Sequence, residues 1–516
     1  MNVSLDSTVS LVDEKIKMFD TYLERTHMDK KDYQYEGVKW CLKNELKNQP
    51  LKKVEPKVDE EPFALGFAQL FPKVDVRGGF IADEMGLGKT IMMIGTMVCN
   101  YLERTLIILP PILIDQWYLQ IYRTTGHKAL IYHGTHKKKI TLERLKSATI
   151  VITSYGAITM TKKQLKLNGE EGLTALHNVD WSRIIFDEAH HLRNANTCWR
   201  SAKLLRGDIR WLVSGTPIQN RKRDFYNLCS ILNLPASFYT HSENLPLLAR
   251  LYILKRTKKQ VGIQIPDIIN DKNIVDWTNK REMEMSEEIH SALGFSNVQI
   301  KSNQRLVNMI GDKGVLALLL RARQSCILPK MLAPVISKCG FKSDNYKEAL
   351  QSSSKLDSVI DKILANKDNG NGKIVFCHFR EEIDMIEKRL RDGGVGKIAI
   401  FDGRFKRKEI LEQKNDVLIL QIQTGCEGLN LQENYSEIYF VSPHWNPAVE
   451  QQAIARCHRI GQKKVVTVNR FEMGNFMKDL GVTLDTTVTL DTRSVDNYVG
   501  SVQDSKMKIA SDIINE

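Results

Sequence analysis

The sequence predicts an α/β chain of two lobes, each a parallel sheet flanked by helices, with a helical insertion between them. Three observations lead there. In the first half, the short apolar runs GGFIAD, TLIILP, TIVITS, RIIFDE and WLVSGT alternate with helical patterns and end in turn or polar residues. Buried strands of a parallel sheet read this way, and functional residues gather at their ends. A second series, KIVFCHF, KIAIF, DVLILQI, EIYFVS and VVTVNRF, begins after the turn-rich segment KDNGNG. Between the two series, residues near 280–335 show helical periodicity and few strand signals, as in GVLALLLRARQSC.

These signals divide the chain into an N-terminal segment (1–30), a first lobe (31–270), a helical inter-lobe region (271–345), a second lobe (346–478) and a C-terminal helical segment (479–516). Pro50, Pro56, Pro62 and Pro72 break a Lys/Glu-rich stretch that reads as a surface insertion. No short-period internal repeat is visible.

The 516 residues are 42% hydrophobic and 26% charged, enough apolar material for sizeable cores. No apolar run reaches the ~18 residues of a membrane span, and the N-terminus lacks a signal peptide's apolar core. A soluble intracellular protein, independent of membranes, is the expectation. The net charge of +13 favours a polyanionic partner such as nucleic acid. The nine cysteines are scattered with no CxxC pair, which argues against a zinc ribbon or RING and for buried structural thiols.

The strongest local pattern is GGFIADEMGLGKT, residues 78–90. A strand turns through Gly86 and Gly88 into an apolar helix. Glycines let backbone N–H groups approach phosphates, the helix N-terminus favours anions, and Lys89 can reach the outer phosphates of ATP. Thr90 is placed to ligate magnesium. The strict pattern wants Gly at position 83, where Asp83 stands. Asp187 and Glu188 follow the apolar run RIIF; the first can hold hydrated Mg2+ and the second can orient or deprotonate water. Arg456 and Arg459, in QQAIARCHRIGQ, are spaced to share a helical face. They could supply cations to the reaction from the other lobe, although a solvated basic face fits the spacing equally well.

Together these residues resemble the SWI/SNF family of helicase superfamily 2 over nearly the whole chain. YQYEGVKW looks like the family's Q motif, placing Gln34 near adenine, and ADEMGLGKT matches its first motif, where Asp is usual. TLIILPPILIDQW, VITSYG, DEAH, LVSGTPIQN, KIVFCHF, QTGCEGLNL and QQAIARCHRIGQ resemble the following motifs in order, and VSPHWNP, with Trp445, resembles a segment particular to the family. The resemblance implies two RecA-like lobes that use ATP and Mg2+. It implies a DNA-dependent ATPase moving along duplex DNA, with Gln452 also at the nucleotide. It further implies that Ser154 and Thr424 approach DNA phosphates, and that Ser214, Gly215, Thr216 and Trp445 couple the ATP and DNA sites.

The helix LALLLRARQSC and the ending VDNYVGSVQDSKMKIASDII resemble the branch of RING-associated repair translocases and transcription-termination ATPases, without the RING. The final helix could then brace the lobes. RNA polymerase or other DNA-bound proteins are the expected partners of a monomer. The location implied is the nucleus, or a cytoplasmic replication site or virion if the source is a large DNA virus. A strand-separating helicase and a DNA-binding scaffold with a lapsed motor are the competing readings. The lysine run 137–139, the cluster Lys255, Arg256, Lys258 and Lys259, and Trp117 and Trp211 read as solvated faces and packing residues. His133 and His136 have ligand-like spacing without a supporting cluster.

Overall fold

The computed structural model describes residues 3–46, 76–167, 172–215, 222–291, 293, 314–338, 346–404, 414–425, 429–476 and 493–514. The proline-interrupted stretch lies outside them, as does Thr216; Thr424 is described only in its backbone. The chain divides into two compact units, residues 1–264 with 508–516, and residues 265–507.

The sheet of the first unit has β1 (Arg77–Ile81), β2 (Thr105–Leu109), β3 (Leu130–Tyr132), β4 (Ile150–Ser154), β5 (Asp180–Asp187), β6 (Arg206–Val213) and β7 (Ile253–Leu254). Their spatial order is β3-β4-β2-β5-β6-β1-β7, and every pairing is parallel. Alternation along each strand feeds two cores. Leu106, Ile108, Ile184, Phe186 and Leu212 enter one, while Ile107, Leu109, Ile185, Trp211 and Val213 enter the other. Both faces being covered explains why the strands appear as continuous apolar runs. The segment 1–30 is no appendage: Val12, Ile16, Phe19, Tyr22 and Leu23 pack with Met92, Met93 and Ile94 of the helix Lys89–Cys99.

The sheet of the second unit comprises β8 (Ile268–Val275), β9 (Gly372–Cys377), β10 (Ile398–Phe401), β11 (Val417–Gln421), β12 (Tyr435–Phe440) and β13 (Val466–Met473). The order is β10-β11-β9-β12-β13-β8, again parallel throughout. Two parallel sheets flanked by helices are thus the fold the sequence predicts, with one correction. Residues 268–270, assigned above to the first lobe, and 271–275, assigned to a helical region, form edge strand β8 of the second unit, paired from Ile268↔Val466 to Val275↔Met473. An edge strand is half solvated, so IINDKNIV carries polar residues where a central strand would be apolar. The helices Lys280–Ser291 and Val315–Ile327 do follow, but they pack into this lobe's own core through Met285, Ile289, Leu318, Ala322 and Cys326.

The C-terminal helix, Val495–Ile514, is anchored in this lobe at its start. Val495 and Val499 join the core, and buried Asp496 pairs with buried Lys355 and accepts from the Met473 N–H at 3.0 Å. The described cysteines are all unpaired and all buried, except half-buried Cys198. Among the described residues no helix is long and apolar enough to cross a membrane.

Burial in this core has a pH consequence. His290 Nδ1 lies 2.7 Å from the Ser286 carbonyl, its Nε2 lies 3.8 Å from Cys326 Sγ, and its ring sits against Phe476. Burial pushes the imidazole down to about 4, against partial support from that carbonyl and from Asp496. In the unfolded chain it protonates near ~6.5. The unfolded state therefore gains a proton that the fold resists. The associated stability is fully present above pH ~6.5 and is lost as pH falls toward 4, by up to roughly 3 kcal/mol. Replacing His290 with Asn should flatten the fall in the denaturant midpoint between pH ~7 and ~5. Equal slopes for both proteins would remove His290 from the account.

Candidate functional site

The residues singled out at strand ends do converge in the first lobe. After β1 the chain turns through Gly86 and Gly88, at φ 92° and 81°, before the helix Lys89–Cys99 begins. Gly88 is required twice over: its φ is left-handed, and an added Cβ would stand 2.3 Å from Gln34 Nε2. Gln34, on the helix Asp32–Glu45, donates from that nitrogen to the Leu87 carbonyl at 3.1 Å. The Q-motif residue thus lies against the glycine loop. Lys89 sits inside the loop, its ammonium 2.8 Å from the Asp83 carbonyl and 3.3 Å from that of Glu84. Thr90 follows, half-buried, on the first turn of the helix.

Two neighbouring strands complete the cradle. The Ser214 N–H, just past β6, donates to the Ile81 carbonyl at 3.0 Å. A Cβ on Gly215 would meet Met85 Cγ at 3.0 Å and Lys89 Nζ at 3.3 Å, so Ser214 and Gly215, two of the residues expected to couple the sites, stand beside the loop. β5 ends at Asp187, whose carboxylate accepts from Trp117 Nε1 at 2.6 Å and from the Glu188 N–H at 3.0 Å. Burial first, and then the neighbouring Glu188 charge, push the Asp187 carboxyl up to about 7; Trp117, the Glu188 N–H and Lys89 oppose this.

Glu188 itself has φ 51° and ψ 50°, a left-handed conformation that costs a non-glycine residue about 1 kcal/mol or more. Its neighbours hold it there. Tyr155 Oη donates to the Asp187 carbonyl at 2.8 Å, and Glu188 Oε2 is 3.2 Å from His190 Nδ1. His190 stacks on His191, whose ring in turn lies tilted against that of Tyr155.

The arginines of the second lobe stand differently from the expectation. The helix Pro447–Ile454 stops before either, so Arg456 and Arg459 do not share a helical face. Both lie in successive turns closed by Arg456 N–H to Ala453 O, Cys457 N–H to Ile454 O and Gln462 N–H to Arg459 O. The Gln462 side chain stabilises the turns, donating to Tyr435 O at 3.0 Å and Cys457 O at 3.2 Å. Arg459 donates to Asn430 Oδ1, and burial, with Arg456 nearby, lowers its guanidinium below the ordinary arginine value. Gln452 is buried on the preceding helix, and its Nε2 has no hydrogen-bond partner among the described residues.

Of the residues expected near DNA, Ser154 is buried at the end of β4 with its hydroxyl 2.9 Å from His133 Nδ1. The lysines after His133 form a mostly exposed single turn. Trp445 meets Tyr498 edge-on at 6.1 Å, and its carbonyl accepts from Lys506 at 2.6 Å, both on the C-terminal helix.

The motif order and this geometry coincide with a family match. The model of the SNF2-related domain matches residues 33–331. The chain belongs to the SNF2-related family. The helicase conserved C-terminal domain matches residues 354–461, so this SNF2-related chain carries both halves of a helicase-type ATPase core.

Among relatives of the SNF2-related chain, "Uncharacterized ATP-dependent helicase" of Mycoplasma pneumoniae is 27% identical over 498 residues, covering 90% of this chain and 42% of that protein. "DNA excision repair protein ERCC-6-like" of Danio rerio is 25% identical, covering 76% and 33%. "Probable global transactivator" of Orgyia pseudotsugata multicapsid polyhedrosis virus is 26% identical, covering 85% and 87%. The chain thus spans less than half the length of the first two. Among solved structures, the "Sulfolobus solfataricus SWI2/SNF2 ATPase core in complex with dsDNA" is 21% identical with a TM-score of 0.38, over 86% of this chain and 88% of that one.

Two contributors escaped the sequence reading. Trp117 and Trp211 are buried, as expected of packing residues, yet each donates its indole N–H to a buried carboxylate, Asp187 and Glu45 respectively. A buried Trp needs such a partner, which was the available signal. The cluster 255–259 is only partly a solvated face: Arg256 pairs with Asp83 and Lys258 with Glu84, at 2.5 and 2.9 Å. Asp83 thus occupies the position of the missing glycine as an ion-pair partner.

Proposed function

We propose that this chain hydrolyses ATP with Mg2+ and uses the energy to move along duplex DNA, displacing or remodelling protein complexes bound there. The observation that carries this reading is the convergence of Lys89, Thr90, Asp187 and Glu188 at the ends of β1 and β5. Lys89 is close enough to Asp187 to help hold its carboxylate ionised.

The donor set fits a divalent cation. A buried carboxylate beside a second one is costly to ionise, and a bound cation removes that cost. Asp187 and the Thr90 hydroxyl would hold Mg2+, which would neutralise phosphate charge. The loop amides near Gly86 and Gly88 and the Lys89 ammonium would bind the phosphates, and Gln34, bonded to the loop at the Leu87 carbonyl, would contact the base. Glu188 positions and deprotonates the attacking water. Arg456 and Arg459 supply positive charge against the negative charge that develops on the phosphates, with Gln452 beside them at the nucleotide.

Ser154, Thr424 and the lysine turn 137–139 serve the DNA backbone, with Ser214, Gly215, Thr216 and Trp445 as the coupling elements. Phosphate contacts position a protein without reading sequence, so binding is sequence-tolerant and weakens steeply with salt. Work in transcription or repair, in the nucleus or a viral replication site, suits the relatives; RNA polymerase is a fitting target, and a single chain suffices.

The experiment compares a third-strand displacement assay with a strand-separation assay, both with ATP. This reading expects removal of the third strand from an intact duplex. Separation of duplex strands at a comparable rate would favour a helicase instead, and neither activity would favour a scaffold.

A further inference from the structure

β7 is a two-residue strand, yet the chain continues beside the nucleotide loop well past its end. Ile253 and Leu254 pair with Phe80 and Ile81. The backbone contacts then run on: Ala82 N–H to Leu254 O at 2.7 Å and Glu84 N–H to Arg256 O at 2.9 Å. The Lys258 N–H donates to Glu84 Oε2 at 2.8 Å while its ammonium lies 2.9 Å from Oε1. This segment leads directly to the division between the two units, after Gln264.

Arg256 is the centre of the arrangement. Its Nε is 3.1 Å from Asp83 Oδ1 and a terminal nitrogen is 2.5 Å from Oδ2, a two-pronged pair on a fully buried carboxylate. The other terminal nitrogen donates to the Tyr33 carbonyl, next to Gln34. The guanidinium also lies 3.4 Å from Met92 Sδ on the P-loop helix, and a Cβ at Gly37 would come within 2.9 Å of it. One planar fork therefore fixes the Q-motif helix, the P-loop and its helix together, a task lysine's point charge cannot copy.

We propose that Arg256 is a positioning residue for the nucleotide site, and that it links the geometry of that site to the chain segment running into the second lobe. Arg256 reaches the nucleotide only through Asp83 and the Q-motif backbone. Nucleotide binding and the response to DNA then share one joint. The second half of this proposal rests on the duplex-stimulated ATPase proposed above; the first half does not.

The test uses the full chain as Arg256→Gln, Arg256→Lys, Asp83→Asn and the double variant Asp83→Asn/Arg256→Gln, with folding checked by circular dichroism. Affinity for a fluorescent ATP analogue and the ratio of ATPase rates with and without duplex DNA are measured for each. Arg256→Gln should weaken nucleotide affinity roughly tenfold, about the loss of one charge-assisted hydrogen bond, and should lower the DNA stimulation ratio. Arg256→Lys should restore little of either, and the double variant should be no worse than the worse single one, since both act through one pair. If Arg256→Gln does not fold, Arg256→Lys carries the comparison.

Unchanged affinity in Arg256→Gln, or effects that multiply in the double variant, would overturn the positioning role. Weakened affinity with an unchanged stimulation ratio would overturn the link to the second lobe. A wild-type protein that ignores duplex DNA would count against the proposed function, and the affinity measurements alone would then judge Arg256.

Discussion

Replacing Glu188 with Gln should slow ATP turnover by roughly 10²–10⁴-fold, the contribution of a positioned general base, while leaving ATP affinity nearly unchanged. Gln matches the size of Glu188 and should keep the left-handed turn, because the Glu188 N–H to Asp187 and the Tyr155 bond to the Asp187 carbonyl do not involve the altered group. Asp187 also loses a repulsive neighbour, since the Glu188 charge is among the causes that raise its carboxyl. Metal and nucleotide binding should therefore survive. Single-turnover hydrolysis beside equilibrium binding of a fluorescent ATP analogue separates the two properties. Turnover close to wild type would show that another group activates the water.

The second large effect concerns stability. Glu45, at the end of the helix that carries Gln34, is fully buried and engages every lone-pair direction of its carboxylate. It accepts from Arg183 Nε at 2.6 Å and a terminal nitrogen at 2.5 Å, from Trp211 Nε1 at 2.8 Å and from Asn100 Nδ2 at 2.8 Å. Arg183 lies on β5, which ends in Asp187, and Trp211 on β6, which leads to Ser214. Glu45→Ala strands the Arg183 charge in the core and should cost about 3–5 kcal/mol. For a lobe of this size that lowers its melting temperature by on the order of 10 °C. Glu45→Met combined with Arg183→Met should recover much of the loss, because it leaves no unpaired charge. Thermal melts of both variants make the comparison, and a Glu45→Ala protein as stable as wild type would contradict the buried-pair account.

These two sites were legible in the sequence to different degrees, for a physical reason. The Lys89 loop and the Asp187–Glu188 pair are local: a strand, a turn and a helix start lie within a dozen or so residues, so spacing alone encodes the geometry. Central strands buried on both faces announce themselves as apolar runs. β8 does not, because an edge strand bears polar residues on its open side. Arg456 and Arg459 have helical spacing, but the helix is ended by turns that depend on Gln462 reaching Tyr435 and Cys457, a contact no local pattern records. The Arg256–Asp83 pair spans 173 residues and the Arg183–Glu45 pair 138, so composition could register the charges but not their partners. The Asp at position 83 was visible as a departure from the strict glycine-loop pattern that the family resemblance accommodates; its ion-pair partner Arg256 was not.

The central claim is that ATP hydrolysis in this chain is driven by engagement of duplex DNA. The most direct measurement is the steady-state ATPase rate of the purified protein with saturating duplex DNA and without it, with Glu188→Gln run in parallel to exclude a contaminating enzyme. The account predicts a rate that rises several-fold with duplex DNA, irrespective of its sequence, declines as salt is added, and is absent in Glu188→Gln. A wild-type rate that is the same with and without duplex DNA would contradict it.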